Sequence, residues 1–187
     1  REFESVFACG LGPAEDFHAR LPRGMPARLQ IVRVDPRDDA MVDAFVRTSS
    51  VGFFEPGEAM PAHFYELSAN TVRHSRSISL LALLDGEPAG GGGMEIAEPF
   101  AEAAGREPIR VACFFGLSVR HEYRRQGIQQ ALIAERLAVA RDDGAAIAVI
   151  HTKPGIATER NAMRLGFAPV YTKCAVAMAR PGLVHSP

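Results

Sequence analysis

The sequence predicts a mixed α/β fold, α+β by some schemes: a central sheet flanked by helices and containing a parallel strand-helix-strand unit. Three observations lead there. Val111 to Val119 is a strand-length apolar run, followed by a basic turn, and Ile128, Ala131, Leu132 and Leu137 then recur at roughly helical spacing before a second apolar run, Ala145 to His151. Two buried strands joined through a helix require a right-handed crossover and a parallel pair, which accounts for their near-continuous apolar character. Asp85-Gly86 lies between two other strand-like runs and reads as a hairpin turn. Finally, 187 residues with 47% apolar content can bury one sizeable core.

Taken in order, Glu2 to Cys9 alternates like a strand and Leu11 to Met25 is turn-rich. Arg28 to Val34 reads as a strand. Asp38 to Phe54 reads as a helix with Ala40, Met41, Ala44 and Phe45 on one side. Pro61 to Val72 reads as a second helix: Pro61 suits its first turn, and Phe64, Leu67 and Ala69 are expected inward. Ser77 to Leu84 and Pro88 to Ile96 form the hairpin strands. Glu98 to Pro108 is polar, an expected loop or short helix. After the 111–119 strand come a helix over 127–142, ending before Gly144, the strand Ala145 to His151, a short helix over 157–165 and a last strand pair over 168–179.

Charge and composition exclude several classes. A net charge of −1 and a pI near 6.7 give no broad basic surface, so nucleic acid is not an expected partner. No apolar run reaches the length of a membrane span. Cys9, Cys113 and Cys174 have no metal-ligand spacing; they are expected as reduced, small buried apolar residues of a cytoplasmic protein, and no metal is expected. Gly90 to Gly93 lacks the Lys-Ser/Thr ending of a phosphate loop and lies in a strand, so it is read as a strand kept small beside a ligand.

The strongest local signal is Arg124-Arg125-Gln126-Gly127-Ile128. A helix beginning near Gly127 offers unpaired N–H groups and the positive end of its dipole to an anion, with two arginines alongside. Glycine lets the backbone approach a diphosphate closely. Downstream, Thr158 to Phe167 reads as a short helix capped by Thr158 and stopped by Gly166 in a left-handed conformation, with Phe167 packing beside it.

Both segments resemble cofactor elements of the GNAT acetyltransferase superfamily. Arg124 to Ile128 match its acetyl-CoA pyrophosphate turn in order, and Leu117 and Val119, flanking Ser118, match the strand before it. Gln129 departs from the usual Gly or Ala, so its side chain must turn away from the phosphates or bond to them. The helix ending in Gly166-Phe167 resembles the family's second element. The resemblance covers roughly residues 29 to 180 and implies a GNAT fold with acetyl-CoA bound by Leu117, Ser118, Val119, Arg124, Arg125, Gln126, Gly127, Ile128, Gln129 and Asn161. Some GNAT proteins carry a degenerate half-domain ahead of the active one. Residues 1–27 are therefore expected either as its remnant, the chain being the remainder of a longer protein, or as an extension adding an edge strand. Residues 28–180 form the acetyltransferase domain and 181–187 a tail.

The implied reaction moves an acetyl group directly from acetyl-CoA to an amine, on a small molecule or peptide, and a homodimer is one expected assembly. A backbone N–H near Leu117 is the expected oxyanion donor. One position where relatives carry a carboxylate base corresponds to Cys113, leaving Glu95, His151 or a water chain. The position of a frequent Tyr acid corresponds to Ala162, leaving Tyr171. Phe53, Phe54, Phe64 and Tyr65 are expected in the acceptor-pocket wall, and Glu55, Glu58 and Glu95 would attract a cationic amine. The alternatives are a non-catalytic acyl-CoA-binding sensor or scaffold, and a phosphate-binding domain unrelated to acetyl transfer.

Overall fold

The computed structural model describes residues 2–54, 57–98 and 109–176. Seven strands, β1 (Glu2–Gly10), β2 (Leu29–Arg33), β3 (Ser77–Leu84), β4 (Glu87–Ala97), β5 (Val111–Val119), β6 (Ile147–Thr152) and β7 (Ala168–Ala175), form one sheet in the order β2-β3-β4-β5-β6-β1-β7. Four helices flank it: α1 (Asp39–Ser49), α2 (Ala62–Arg73), α3 (Ile128–Asp142) and α4 (Ala157–Arg164). Only β5 and β6 pair in parallel, as the crossover through α3 demands.

Alternation along the strands sorts the apolar side chains into two cores. Ile78, Leu80, Met94, Phe114 and Ile150 pack with Ile128, Leu132 and Leu137 of α3 and with Leu165 and Phe167. On the other face Leu81 packs with Val42, Phe45 and Val46 of α1 and Ala69 and Val72 of α2. Ala40 is exposed and Leu67 is 66% exposed, against expectation. Each lies two residues before an inward residue, Val42 or Ala69, and so about 200° around its helix. Asp38 caps α1, accepting from the N–H groups of Ala40 and Met41 at 2.9 and 3.1 Å. The helix expected to reach Phe54 ends at Ser49 and gives way to a 3-10 turn over Val51–Phe53. There Gly52 lies so close to β5 that a Cβ on it would be 2.8 Å from Ser118 Oγ.

The main departure from the sequence reading lies at the chain start. β1 is not an edge strand. Its residues Ser5 to Gly10 pair with β6 and Glu2 to Ala8 with β7, so it lies inside the sheet with Phe7 and Cys9 buried. The pair expected over 168–179 is a single strand through Ala175 whose partner is β1; residues 177–179 lie outside those described, as do 99–108 of the expected 98–108 loop. The turn-rich segment after β1 packs against α3. Phe17 and Leu21 are buried, His18 Nε2 is 2.8 Å from Glu135 Oε2, and Arg20 donates to the Leu165 carbonyl at 2.8 Å.

Phe7→Ala should therefore cost about 3–5 kcal/mol, the range for a buried aromatic, and Asp38→Ala about 1 kcal/mol through the lost cap. Denaturant unfolding monitored by circular dichroism measures both.

Candidate functional site

The crossover from β5 to α3 places the expected anion turn at one end of the sheet. Gly127 is the N-cap of α3 at φ +83°, and Arg125 also adopts a left-handed conformation at φ +65°. No side chain caps the helix. Its first N–H groups therefore stay available to a ligand. Arg124 is steered by a bond from Nε to the Val119 carbonyl at 3.3 Å, while the Arg124, Arg125 and Gln126 residues are exposed. A Cβ on Gly127 would meet nothing nearer than Pro26 Cγ at 3.5 Å, so the approach to the turn is open. Ile128 anchors it from beneath, 1% exposed.

Gln129 turns away from this opening. Its Nε2 donates to Thr158 Oγ1 at 3.0 Å, and its Oε1 accepts from Asn161 Nδ2 at 2.6 Å. Asn161 Oδ1 in turn accepts from Gln130 at 3.0 Å and Arg164 at 3.2 Å. Thr158 is thus a receptor for Gln129 and not the cap, which falls at Ile156. Asn161, expected on the coenzyme, spends its carbonyl on the α3–α4 joint. The stop is as expected: Gly166 has φ +99°, Phe167 N–H returns to the Ala162 carbonyl at 3.1 Å and Gly166 N–H to that of Met163 at 3.1 Å, a Schellman closure. Phe167 meets Phe114 edge-on, with ring centroids 6.0 Å apart.

Beside the turn the sheet opens. The β5–β6 ladder stops at Phe114–Ile150, while β4–β5 pairing continues to Val119 across an irregularity opposite Gly92, where Gly116 has φ +59°. Residues 115–119, including Leu117, Ser118 and Val119, thus have no ladder partner on β6. On the α1–α2 face of this opening the register brings together Glu95, its partner Cys113, Phe115 and, just past the ladder end on β6, His151. Arg76 Nη2 holds Glu95 at 2.9 Å, and a groove of about 340 Å³ runs past them beneath Leu67 and Asn70 of α2 and His74 just after it. Phe64 stacks edge-on with Phe54 at 4.9 Å and lies 6.1 Å from Phe53, whereas Tyr65 donates to Asp43 instead. Glu58 is exposed and Glu55 lies outside the described residues. Tyr171 stands on the same face as His151, with Val6 of β1 between them, and is 55% exposed; it is not adjacent to β5.

Cys113 and Cys174 are exposed, contrary to the buried role expected; only Cys9 is buried. Burial still raises the Cys113 thiol above its usual range, and the Glu95 carboxylate adds to this, so it stays a protonated thiol at neutral pH. His151 is lowered, first by burial and then by Lys173, whose Nζ lies 3.0 Å from Nδ1. It is therefore neutral at pH 7 and able to accept a proton.

The sequence from 40 to 167 matches the family model described as Acetyltransferase (GNAT) family. The chain belongs to the GNAT family. The family consists of acetyltransferases that use acetyl-CoA. No curated protein matches the chain in sequence. Among solved structures it is similar to an aminoglycoside acetyltransferase from an uncultured soil metagenomic sample, in complex with sisomicin, at 17% identity and TM-score 0.60 over 82% of this chain and 95% of that one. A second similar structure is the aminoglycoside acetyltransferase AAC(6')-Iy with a CoA-based bisubstrate analogue, at 17% identity and TM-score 0.61 over 82% and 99%. A functionally unknown conserved protein of Staphylococcus epidermidis matches at 11% identity and TM-score 0.60 over 91% of this chain, which spans 58% of that protein's length. At these identities the likeness shows the GNAT fold. Among the described residues no helix is long and apolar enough to cross a membrane, and no group of side chains could hold a metal ion.

Sequence reasoning passed over three charged residues around the opening: Arg76 against Glu95, Lys173 against His151, and Arg136 beneath the strands. The last could have been noticed as the one charge in the series Ile128, Leu132, Arg136, Ala140, all fully buried or nearly so along α3.

Because its folded pKa is depressed, His151 should bind a proton only below its unfolded value of about 6.5. The unfolded chain takes up that proton first, so the contribution of this group to stability is present above that pH and lost as pH falls through the window beneath it. Lys173→Met removes a like charge and should move the midpoint upward. An NMR titration of the imidazole in both proteins reads the shift.

Proposed function

We propose that the chain transfers the acetyl group of acetyl-CoA directly to the amine of a small molecule or peptide. The observation that carries this is the conjunction of an open anion turn at Gly127 with a sheet that splits beside it at Phe114 and Ile150. The coenzyme diphosphate would take the α3 N–H groups, with Arg124, Arg125 and Gln126 around it and Ile128 and Gln129 fixing the first turn. Its pantetheine arm would run along Leu117, Ser118 and Val119 in the split, with Asn161 lining the α4 side. The thioester would then lie where β5 leaves β6, against the face that carries Glu95 and His151.

An ammonium has no lone pair, so the acceptor must first lose a proton. His151 is favoured for this, being neutral at pH 7, whereas the Glu95 carboxylate is already engaged by Arg76. The amine nitrogen then forms a bond to the acetyl carbon and the carbonyl electron pair moves to oxygen, where an amide N–H near Leu117 receives it. Collapse restores the carbonyl and breaks the carbon–sulfur bond; the thiolate leaves to be protonated, and the amide product sheds its second proton. Tyr171 is the candidate acid, reaching over Val6. An amine acceptor is supported by the fold shared with aminoglycoside acetyltransferases, and the groove lined by Glu95, Arg76 and Phe115 is where it would enter.

Calorimetry should show CoA binding by the unmodified protein. Gly127→Asp should weaken it by at least 100-fold, because it puts a carboxylate in the anion site and a side chain on a backbone held at φ +83°. Thiol release from acetyl-CoA should accelerate with at least one amine in a panel of aminoglycosides, polyamines and peptides. Binding without any release would favour the sensor or scaffold reading. His151→Ala should slow release by about 10²–10⁴-fold, as for loss of a general base. An unchanged rate in Tyr171→Phe would remove that residue from the mechanism.

A further inference from the structure

Arg136 is the largest fully buried side chain among the described residues. It rises from the middle of α3 to the underside of the sheet, on the face opposite Glu95 and His151. Its Nη1 donates to the Gly93 carbonyl at 3.1 Å and to the Phe115 carbonyl at 3.4 Å, and its Nε to the Leu132 carbonyl of its own helix at 3.2 Å. The guanidinium lies over the Phe114 ring, 4.4 Å from its centroid. Nη2 has no hydrogen-bond partner among the described residues. Among the described residues no acidic side chain forms an ion pair with it. Burial lowers the group to about 9, which leaves it charged at neutral pH.

A fold that needed only to fill this space would do better with an apolar side chain, because a buried charge without a counter-ion is costly. The surroundings are nevertheless shaped to admit it. A Cβ on Gly92 would lie 3.2 Å from the Arg136 Cζ, so the glycine run of β4 leaves room for the guanidinium against the backbone. At the neighbouring positions of the run a Cβ would meet Phe45 at Gly91 and Phe115 at Gly93.

The two carbonyls gripped by Arg136 flank the irregularity of β4 and β5. The carbonyl of Phe115 and the N–H of Gly116 belong to one peptide group, and a cation bonded to the oxygen draws electron density from the nitrogen, making that N–H a stronger donor. We propose that Arg136 is a positioning residue for acetyl transfer: through the Phe115–Gly116 peptide it fixes the backbone at the head of the split and strengthens the amides there that receive the thioester oxygen. This rests on the proposed coenzyme site. It adds a role for a charge that touches neither substrate.

The test uses acetyl-CoA labelled with ¹³C at the acetyl carbonyl and infrared difference spectra of its complex with the protein, so no acceptor need be known. Arg136→Met removes the charge and both bonds to the strands. Arg136→Gln keeps an amide donor without charge, and serves if the Met protein does not fold. Arg136→Lys keeps the charge. The unmodified protein should lower the thioester carbonyl frequency relative to free acetyl-CoA. Met and Gln variants should bind CoA within threefold of the unmodified protein yet lose at least half of that shift, and release thiol at least tenfold more slowly at saturating acetyl-CoA. Lys should restore most of both. Thermal melting of the Met variant should be unchanged or higher, which a purely structural residue would not allow. A full carbonyl shift in the Met or Gln variant, with CoA bound, would overturn the role of Arg136. Absence of CoA binding by the unmodified protein would instead overturn the coenzyme site itself.

Discussion

The early end of one parallel ladder governs this molecule. β5 and β6 share only four residue pairs, from Val111–Ile147 to Phe114–Ile150, and then part. Backbone polar groups in a buried sheet must find partners, so a sheet that opens in its middle needs a ligand, water or side chains to complete it. Each neighbouring element answers to that gap. α3 begins at its mouth with N–H groups facing outward, α4 braces α3 through the Gln129–Asn161 contact, and β4 holds the far edge of β5 past the gap, across the irregularity at Gly92. The site is thus a consequence of topology before it is a matter of particular side chains.

The two faces of the opening have separate work. The α1–α2 face carries exposed, titratable groups whose environments differ: a paired carboxylate at Glu95, a thiol at Cys113 held protonated, and an imidazole at His151 held neutral beside a lysine. The α3–α4 face packs an apolar core around one guanidinium sealed against the strands. Proton traffic and backbone rigidity can therefore be altered independently, because the sheet itself separates the groups responsible for each.

Local chemistry made much of this legible from sequence. Strands β3 and β5 begin and end where their apolar runs do, α3 begins beside Gly127 as expected, and Gly166 adopts the left-handed conformation expected of a helix stop. What escaped was long-range. Alternation at residues 2–9 announces a strand but says nothing of its neighbours, so the place of β1 between β6 and β7 could not be read. Likewise Asn161 looked available for the coenzyme because the amides of Gln129 and Gln130 approach only once two helices pack. Inward faces of α1 and α2 were misjudged at Ala40 and Leu67, where an apolar residue of ordinary propensity carries no mark of which side it occupies.

The position of β1 has a consequence in time. Among the described residues all its sheet contacts are with residues 147–152 and 168–175, so once Gly10 is made β1 waits for the chain to reach Ile147 before its first partner exists. Pairing across so long a stretch of chain is entropically slow, and an apolar strand kept waiting is open to wrong partners. Strands β2 to β5 can form a sheet by local hairpins well before that. Closure of the sheet around β1 is then the late step of assembly, and β1 is the strand that has to be shielded while the rest of this domain is made.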